Sequence, residues 1–360
     1  MKLVIEEAPL LKALGHLASV TERRTTIPIL SNVLIDASAD GIALCATDMD
    51  IGLTIQLPAR IERHGKLTTS THTLHDIVRK LKDGAQIEFE ADGQTGKHIG
   101  ALAVRSGRSS FKVTVLPHDD FPQTKAGELP HEFSVTAAEL RTLIDKTRFA
   151  ISTEETRYYL NGIYLHASSN DDGVGVLRAV ATDGHRLARI DVPLPEGARG
   201  MAGVIVPRKT VTEVRKLIDV AKDDNHIGIR TSSTKIEFTV GNATMTSKII
   251  DGTFPDYDRV IPKGNDKVIV TATDDMKEAV DRVATIATER TKAIKFDFRA
   301  DGIQLSATSP EHGTAVEEIE ARYTGAQINV GFNHRYVLDL AQLLPALDAP
   351  QLGRRAAGLE

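Results

Sequence analysis

The sequence GIALCATD at residues 41–48 returns twice along the chain, as GVLRAVATD at 175–183 and as GIQLSATS at 302–309. Each copy reads as an apolar strand that ends in Ala-Thr followed by a small polar residue. The Ala-Thr steps are 135 and 126 residues apart, which is far longer than the period of solenoid repeats. Each repeat is therefore long enough to hold a hydrophobic core of its own.

The segments around these strands repeat as well. In each repeat a short strand runs into an amphipathic helix, beginning at Ile5, Val135 and Val270, and a second helix follows later. Alternation of apolar and polar residues indicates half-buried strands, against which the helices can bury their apolar stripes. The fold class is thus α+β, with three repeated domains at residues 1–127, 128–256 and 257–360. Further apolar strands are predicted at PILSNVLI (28–35), YYLNGIYL (158–165) and AIKFDF (293–298).

Composition excludes several classes of protein. Lys and Arg total 44 against 49 Asp and Glu, a net charge of -5, so the chain is not a generally basic nucleic-acid binder. Cys45 is the only cysteine, which excludes internal disulfides and multi-cysteine metal sites. No apolar run approaches the roughly 18 residues of a membrane helix, and the N-terminus lacks the apolar stretch of a signal peptide. We expect a cytoplasmic protein.

The charge is unevenly distributed between the predicted helices and the rest of the chain. Six helical windows, at 8–24, 70–83, 137–150, 208–222, 274–292 and 333–344, carry 19 Lys and Arg but 13 Asp and Glu, a sum of +6. The remainder sums to -11. Exposed helix faces often carry Lys and Arg without any partner, which is one interpretation. The other is a positive helical surface that follows the phosphate backbone of duplex DNA without reading bases.

Several motifs resemble one family. RYYLNGIYL (157–165), ATDGHRLA (181–188), VIVPRK (204–209) and TSKIIDGTFPDY (246–257) are similar to segments of the bacterial DNA polymerase III β subunit, the sliding clamp. The resemblance is collinear from Met1 to about Leu344. It implies a ring-shaped dimer with helices inside and antiparallel sheets outside. Such a ring encloses duplex DNA without sequence specificity and has no catalytic activity, metal or cofactor.

The resemblance also implies three sets of site residues. The DNA contacts would be Arg24, His72, Tyr158, Tyr159, Arg208 and Lys209. The pocket for peptides of the polymerase, the clamp loader and other clamp-binding proteins would contain Leu160, Thr182, Gly184, His185, Arg186, Leu187, Pro255 and Val260. The dimer contacts would join Phe111 and Val113 to Ile286 and Ala287, with Arg105 and Arg108 pairing with Glu311, Glu317 and Glu318.

The third repeat is shorter than the other two. Leu344 is followed by PALDAPQLGRRAAGLE, where the family has two more strands and a tail that forms part of the peptide pocket. We expect the final strands of this domain to be missing, and stability and peptide affinity to be lower as a result.

Two other functions have some support in the sequence. Asp183 and His185 in ATDGHR could form an acid/base pair or bind a metal. However, the third repeat has Ser309 in place of the aspartate, and no P-loop, HExxH or GxSxG motif occurs in the sequence. Asp48 and Asp183 are better explained as acceptors for turn amides. The other possibility is a repeat scaffold that binds only proteins. Retention on nicked circular DNA after clamp-loader treatment, with release on linearisation, would distinguish a ring from such a scaffold.

Overall fold

The computed structural model describes residues 1–91, 100–122, 127–287 and 292–344. None of the helices in this part of the chain combines the length and apolar character that crossing a membrane requires. The six helices fall within or beside the predicted windows: α1 (Glu7–Val20), α2 (Thr71–Val78), α3 (Ala137–Asp145), α4 (Arg208–Leu217), α5 (Thr273–Ala284) and α6 (His334–Leu343).

The described strands pair antiparallel throughout. Those before Phe254 are β1 (Lys2–Glu6), β2 (Asn32–Ser38), β3 (Gly41–Thr47), β4 (Ile51–Leu57), β5 (Arg60–Arg63), β6 (Gly65–Ser70), β7 (Gln86–Ala91), β8 (Ala101–Ser106), β9 (Ser109–Leu116), β10 (His131–Thr136), β11 (Gly162–Ser169), β12 (Gly175–Thr182), β13 (Leu187–Pro193), β14 (Val204–Pro207), β15 (His226–Thr231), β16 (Lys235–Val240) and β17 (Ala243–Lys248). Those after it are β18 (Ile269–Val270), β19 (Ala293–Arg299), β20 (Gly302–Ser309), β21 (Gly313–Ile319), β22 (Arg322–Tyr323) and β23 (Ile328–Asn333).

The chain divides into two compact units, Met1–Phe254 and Pro255–Glu360. The first unit contains both the first and the second repeat because one sheet crosses from one to the other. Thirteen strands follow the order β10-β15-β16-β17-β4-β3-β2-β6-β9-β8-β7-β1-β5, and β17 of the second repeat pairs with β4 of the first. Met245 lies opposite Leu53 at this junction, and both side chains are buried. The junction is thus part of the core as well as of the ladder.

The remaining strands of the first unit form a second sheet in the order β13-β12-β11-β14. The helices cover the sheets with the stripes that the sequence predicts. Leu10, Leu14 and Leu17 of α1 are fully buried, as their three- and four-residue spacing requires. Helix α3 begins with a capping box, in which Thr136 and Glu139 each accept the other's backbone N–H.

The second unit is built around the sheet β21-β20-β19-β23, with β18 and β22 forming a separate pair. Helix α5 buries Ala279, Val280 and Val283 against this sheet. Helix α6 is far less covered, since Ala341 is its only buried residue and Leu340 is 49 % exposed. Residues after Leu344 lie outside the described part, and so does the Gly-Gln-Thr-Gly-Lys segment at 93–97, which is too short for a phosphate loop.

The strands predicted at 28–35 and 158–165 form only in their second halves. Residues Pro28–Ser31 and Glu155–Leu160 form 3-10 turns, and the strands begin after them at Asn32 and Gly162. Pro28 lacks the N–H that a strand ladder needs and its fixed φ suits the first turn of a helix. Tyr158 and Tyr159 are therefore on a turn rather than in a sheet.

Candidate functional site

The Ala-Thr motif ends in the same turn in all three repeats. Asp48 Oδ1 accepts hydrogen bonds from the backbone N–H groups of Asp50 (2.9 Å) and Ile51 (2.7 Å). Asp183 Oδ1 accepts them from His185 (2.9 Å) and Arg186 (3.0 Å). Ser309 Oγ takes the same place in the third repeat, accepting from Glu311 and His312, each at 3.2 Å. This geometry confirms that the two aspartates serve turn amides, which leaves that oxygen committed to structure rather than to acid/base work.

The threonine before each aspartate strengthens the first two turns. Thr47 Oγ1 donates to the carbonyl of Ile51 (2.8 Å), and Thr182 Oγ1 donates to that of Arg186 (2.7 Å). The residue after the aspartate is left-handed in both repeats, Met49 with φ 81° and Gly184 with φ 87°. A Cβ at position 184 would also meet Nη1 of Arg157, so the end of that flexible side chain would have to shift. Arg157 is thus a structural neighbour of the turn that the sequence did not indicate.

Five of the predicted peptide-pocket residues of the first unit, Thr182 and Gly184–Leu187, lie on the second turn, and Leu160 ends the 3-10 turn that carries Arg157. Arg186 is held rigidly, since its Nε donates to Asp183 Oδ2 (3.1 Å) and its guanidinium lies 5.2 Å from the centre of the Phe149 ring. Leu160 and Thr182 are buried, whereas Leu187 is half-buried and His185 is exposed. The accessible part of this cluster is therefore an apolar side chain beside an imidazole.

Pro255 and Val260 belong to the second unit. Both are exposed, and Val260 is 66 % accessible. They precede and follow a short 3-10 turn at Tyr257–Arg259, in which Tyr257 is buried. This turn holds them at the surface of their own unit.

Four of the six predicted DNA contacts present side chains at the surface. Arg24, in the segment after α1, and Arg208, the first residue of α4, are both exposed. Tyr158 is 54 % exposed and Tyr159 is half-buried. Their rings meet edge to face, with centroids 5.9 Å apart, which is a favoured aromatic geometry. The exposed phenol and the two arginines could all reach phosphate oxygens.

The other two have partners within the chain. Lys209 Nζ donates to the carbonyl of Val20 (3.1 Å) and forms an ion pair with Asp48. It therefore ties α4 of the second repeat to α1 and the Asp48 turn of the first. His72 is half-buried, with Nε2 3.3 Å from the carbonyl of Thr21. Burial, with the nearby charge of Arg23, lowers the pKa of His72, so this imidazole is mainly neutral at pH 7 and offers little charge to a phosphate.

Much of the positive charge on the helices is matched locally. Arg215 pairs with Asp145 (2.9 Å) and Asp219 (3.0 Å), and Lys216 pairs with the buried Glu213 (2.8 Å). Arg141 and Arg79 are likewise paired, with Asp223 and Asp76. Within the described residues, the helical and adjoining side chains that form no ion pair include Lys12, Arg23, Arg24 and Arg208. The surface available to a polyanion is therefore smaller than the count of charges predicts.

Comparison with known proteins identifies the family. Models of the N-terminal, central and C-terminal domains of the DNA polymerase III beta subunit match residues 1–125, 134–256 and 258–350. The beta sliding clamp of Caulobacter vibrioides is 49 % identical over 94 % of the chain and 90 % of its own length, and that of Escherichia coli is 34 % identical over 96 % and 90 %.

The chain belongs to the DNA polymerase III β-subunit family, the sliding clamps. Solved clamp structures agree with this. That of Caulobacter crescentus, 48 % identical, has a TM-score of 0.91 over 96 % of this chain and 90 % of its own. A clamp from Bartonella birtlesii, crystallised with griselimycin, has 44 % identity and a TM-score of 0.91 over 96 % and 91 %. The resemblance seen in the motifs is confirmed, and with it the clamp fold and the role of a non-catalytic processivity subunit.

Some of the predicted subunit contacts of the clamp are exposed at the surface, and others are buried in the core of their own unit. Phe111 on β9 is 37 % exposed, and Arg108 is exposed at the preceding hairpin. Val113, by contrast, is 8 % exposed and belongs to the core of the first unit, because β9 turns its odd-numbered side chains inward from that residue on. Ile286 and Ala287 are half-buried against the core of the second unit.

The predicted ion pairs across the subunits meet competition within each clamp chain. Arg105 contacts both Glu88 and Glu90. Glu317 receives two guanidinium nitrogens of Arg282 (2.6 Å and 3.1 Å), and Glu318 accepts from Gln304 (2.9 Å). An intersubunit pair would have to replace these contacts, so it would add little net stability.

Proposed function

We propose that two copies of this clamp close head to tail into a ring around duplex DNA, and that the ring is the working form of the protein. It tethers the replicative polymerase, the clamp loader and other proteins with clamp-binding motifs, without reading DNA sequence. We place it in the bacterial cytoplasm, where the chromosome is replicated. The three repeats at 1–127, 128–256 and 257–360 supply six similar domains to such a ring, and a closed two-fold arrangement leaves no interface unused.

The observation that carries this proposal is a pair of corresponding residues. Gly107 and Gly241 both have φ +56° in the hairpins that precede β9 and β17. Counting four residues on from each, Phe111 corresponds to Met245. Met245 is fully buried opposite Leu53 where β17 pairs with β4, whereas Phe111 is 37 % exposed. Strand β9 pairs with β6 only at Val115 and Leu116, so the half of β9 that carries Phe111 pairs only with β8 in the described sheet. This half of the strand thus presents the apolar edge that the second repeat uses to join its neighbour.

A matching edge exists in the second unit. Strand β21 follows the Ser309 turn as β4 follows the Asp48 turn, and it lies at the end of its sheet order. Val316 on this strand is 59 % exposed. Exposed apolar edge strands are templates for pairing with another chain. Pairing β9 of one copy with β21 of the other would repeat between chains the junction that β17 and β4 form within one.

We propose Arg24, Arg208, Tyr158 and Tyr159 as the main DNA contacts. These four residues offer exposed donors to phosphate oxygens. His72 and Lys209 stay in the proposal with smaller roles, because one is mainly neutral and the other is held by Asp48.

For partner peptides, we propose contacts at the Thr182–Leu187 turn, and we keep Leu160, Pro255 and Val260 as further peptide-binding residues. An extended peptide with an apolar anchor would be held there by Leu187 and by the rigid Arg186. Subunit contacts would involve Arg105, Arg108, Phe111, Val113, Ile286 and Ala287, with Val113 acting from beneath the surface.

The substitution Phe111→Asp tests ring closure. It places a carboxylate on the proposed joining edge, so the dimer should dissociate to a monomer of 39.1 kDa in light scattering at micromolar concentration. Val174→Asp is the matched control, because Val174 is also an exposed apolar residue (60 %) but lies at the hairpin between β11 and β12, in a different sheet from β9.

Loading on DNA tests the enclosure itself. After treatment with clamp loader, the parent protein and Val174→Asp should stay on nicked circular DNA and leave when the circle is cut, whereas Phe111→Asp should not be retained. Retention that survives linearisation, or a dimer unaffected by Phe111→Asp, would overturn the proposal.

A further inference from the structure

A groove of about 330 Å³ lies where the first and second repeats meet inside the first unit. Its floor is made of buried apolar side chains from four elements, including Ala13 of α1, Ile55 of β4 and Leu217 of α4. One wall is Val220, which is 64 % exposed. The volume is at the lower end of the range for ligand sites, roughly 300–1,000 Å³.

The groove is separate from the proposed peptide site. Its lining contains neither Leu160 nor any residue of the Thr182–Leu187 turn. The lining residues of the second repeat come from the end of α4, the segment that follows it, and the hairpin between β16 and β17.

Charge at the rim indicates what could occupy the groove. Lys12 lines it and is exposed, and it forms no ion pair among the residues that the structure describes. The lining includes no Asp or Glu. His16 is the other ionisable lining group, and burial, followed by the charge of Lys12, lowers its pKa. It therefore offers a neutral N–H, so the rim carries one positive charge beside an apolar floor.

We propose that this groove is a second docking site of the clamp, which takes a peptide segment with a branched aliphatic side chain next to an acidic one. The aliphatic group fills the space over Ala13 and Leu217 and covers Val220. The acidic group pairs with Lys12. This inference concerns a surface within one chain, so it does not depend on ring closure or on the peptide site at Leu187.

The probe is a pair of matched dipeptides, acetyl-Leu-Asp-amide and acetyl-Leu-Asn-amide, titrated into the full-length protein with ¹³C-labelled Leu and Val methyl groups. The methyl signals of Leu217 and Val220 should shift and saturate. At low salt the acidic dipeptide should bind roughly threefold more tightly or better, which is the size of effect an exposed ion pair gives. This preference should fall as salt is added.

Two variants separate the parts of the site. Val220→Asp should weaken the acidic dipeptide about tenfold, since it removes apolar contact and adds a like charge. Lys12→Gln should keep binding but make the two dipeptides equal. Val174→Asp should change nothing. Both altered side chains of the test variants are at the surface, so folding is preserved.

The proposal is overturned if the groove methyls show no saturable shift, if the two dipeptides bind the parent protein equally, or if the only saturable shifts are at Leu187. That last result would place the dipeptide in the proposed peptide site instead.

Discussion

Met245 and Phe111 occupy the same position of two repeats and have opposite surroundings. Met245 on β17 is fully buried where β17 pairs with β4 of the same chain. Phe111 lies on the half of β9 that pairs only with β8, and more than a third of its surface is accessible. Both are large apolar residues at the same distance from a left-handed glycine. The difference shows that one design of strand serves as a core junction where a neighbouring repeat is present and as a docking edge where it is not.

The largest effect is expected from placing a charge at the closed junction. Met245→Asp would bury a carboxylate with no partner, which destabilises by more than about 3 kcal/mol. The midpoint of urea unfolding of the first unit should fall sharply. Phe111→Asp is the same type of change at the open edge. It should change the free energy of unfolding by no more than about 0.5 kcal/mol when the variant and the parent protein are compared as monomers. Equal losses in the two variants would contradict the proposed difference between them.

A second comparison concerns the strands that follow the aspartate turns. Strand β4 is paired on both sides, whereas β13, its counterpart, pairs only with β12 in the described sheet order. Between β12 and β13, the nearly fully buried Arg178 donates from Nε and Nη2 to Asp191 at 2.7 Å and 2.8 Å. This pair lowers the pKa of Asp191. We expect it to secure an edge that lacks a second neighbour.

Acid should therefore weaken β13. Because the folded pKa of Asp191 is below the unfolded value of about 3.9, the pair stabilises above that value and is lost as pH falls through the folded pKa. Asp191→Asn should cost roughly 2 kcal/mol near pH 7, since charge-assisted hydrogen bonds are worth about 1.5–3 kcal/mol. The difference from the parent protein should shrink towards pH 3 in a series of urea titrations. A loss that is the same at every pH would show that the charge of Asp191 is not the cause.

The smallest effects are expected at the turns themselves. Asp48→Ala removes an acceptor for two amides and the partner of Lys209, so about 2 kcal/mol should be lost from the first unit. Ser309→Ala removes only the two longer bonds in the second unit and should cost about 1 kcal/mol or less. Thermal unfolding of both variants measures this order, and a greater loss from Ser309→Ala would reverse our account of the turns.

The repeat, the six helices and the buried stripe of α1 could be predicted from sequence because they depend on local periodicity. The spacing of Leu10, Leu14 and Leu17 is enough to predict which face of α1 is buried. The aspartate turns were predictable for a similar reason, since their hydrogen bonds reach only two or three residues along the chain. The family resemblance added the fold and function that periodicity does not contain.

What the sequence did not indicate depends on contacts between distant segments. Lys209 meets Asp48 across 161 positions, so nothing near either residue distinguishes this lysine from one free to bind DNA. Val113 and Phe111 are two residues apart on one strand, yet only the first is buried. The pairing of Arg215, Lys216 and Arg141 reduced a charge surplus that composition had counted in full.

The pairing of β4 with β17 cannot form until both strands have been synthesised. Leu53 pairs with Met245, which follows it by 192 residues in the chain. At roughly 5–20 residues per second the ribosome needs about 10–40 s to supply that partner. During this interval the edge of β4 that later pairs with β17 has no partner, and it is exposed to other nascent chains. The first repeat should therefore be the part of the protein most dependent on chaperones while it is made, although it lies within the most extensively paired sheet of the described chain.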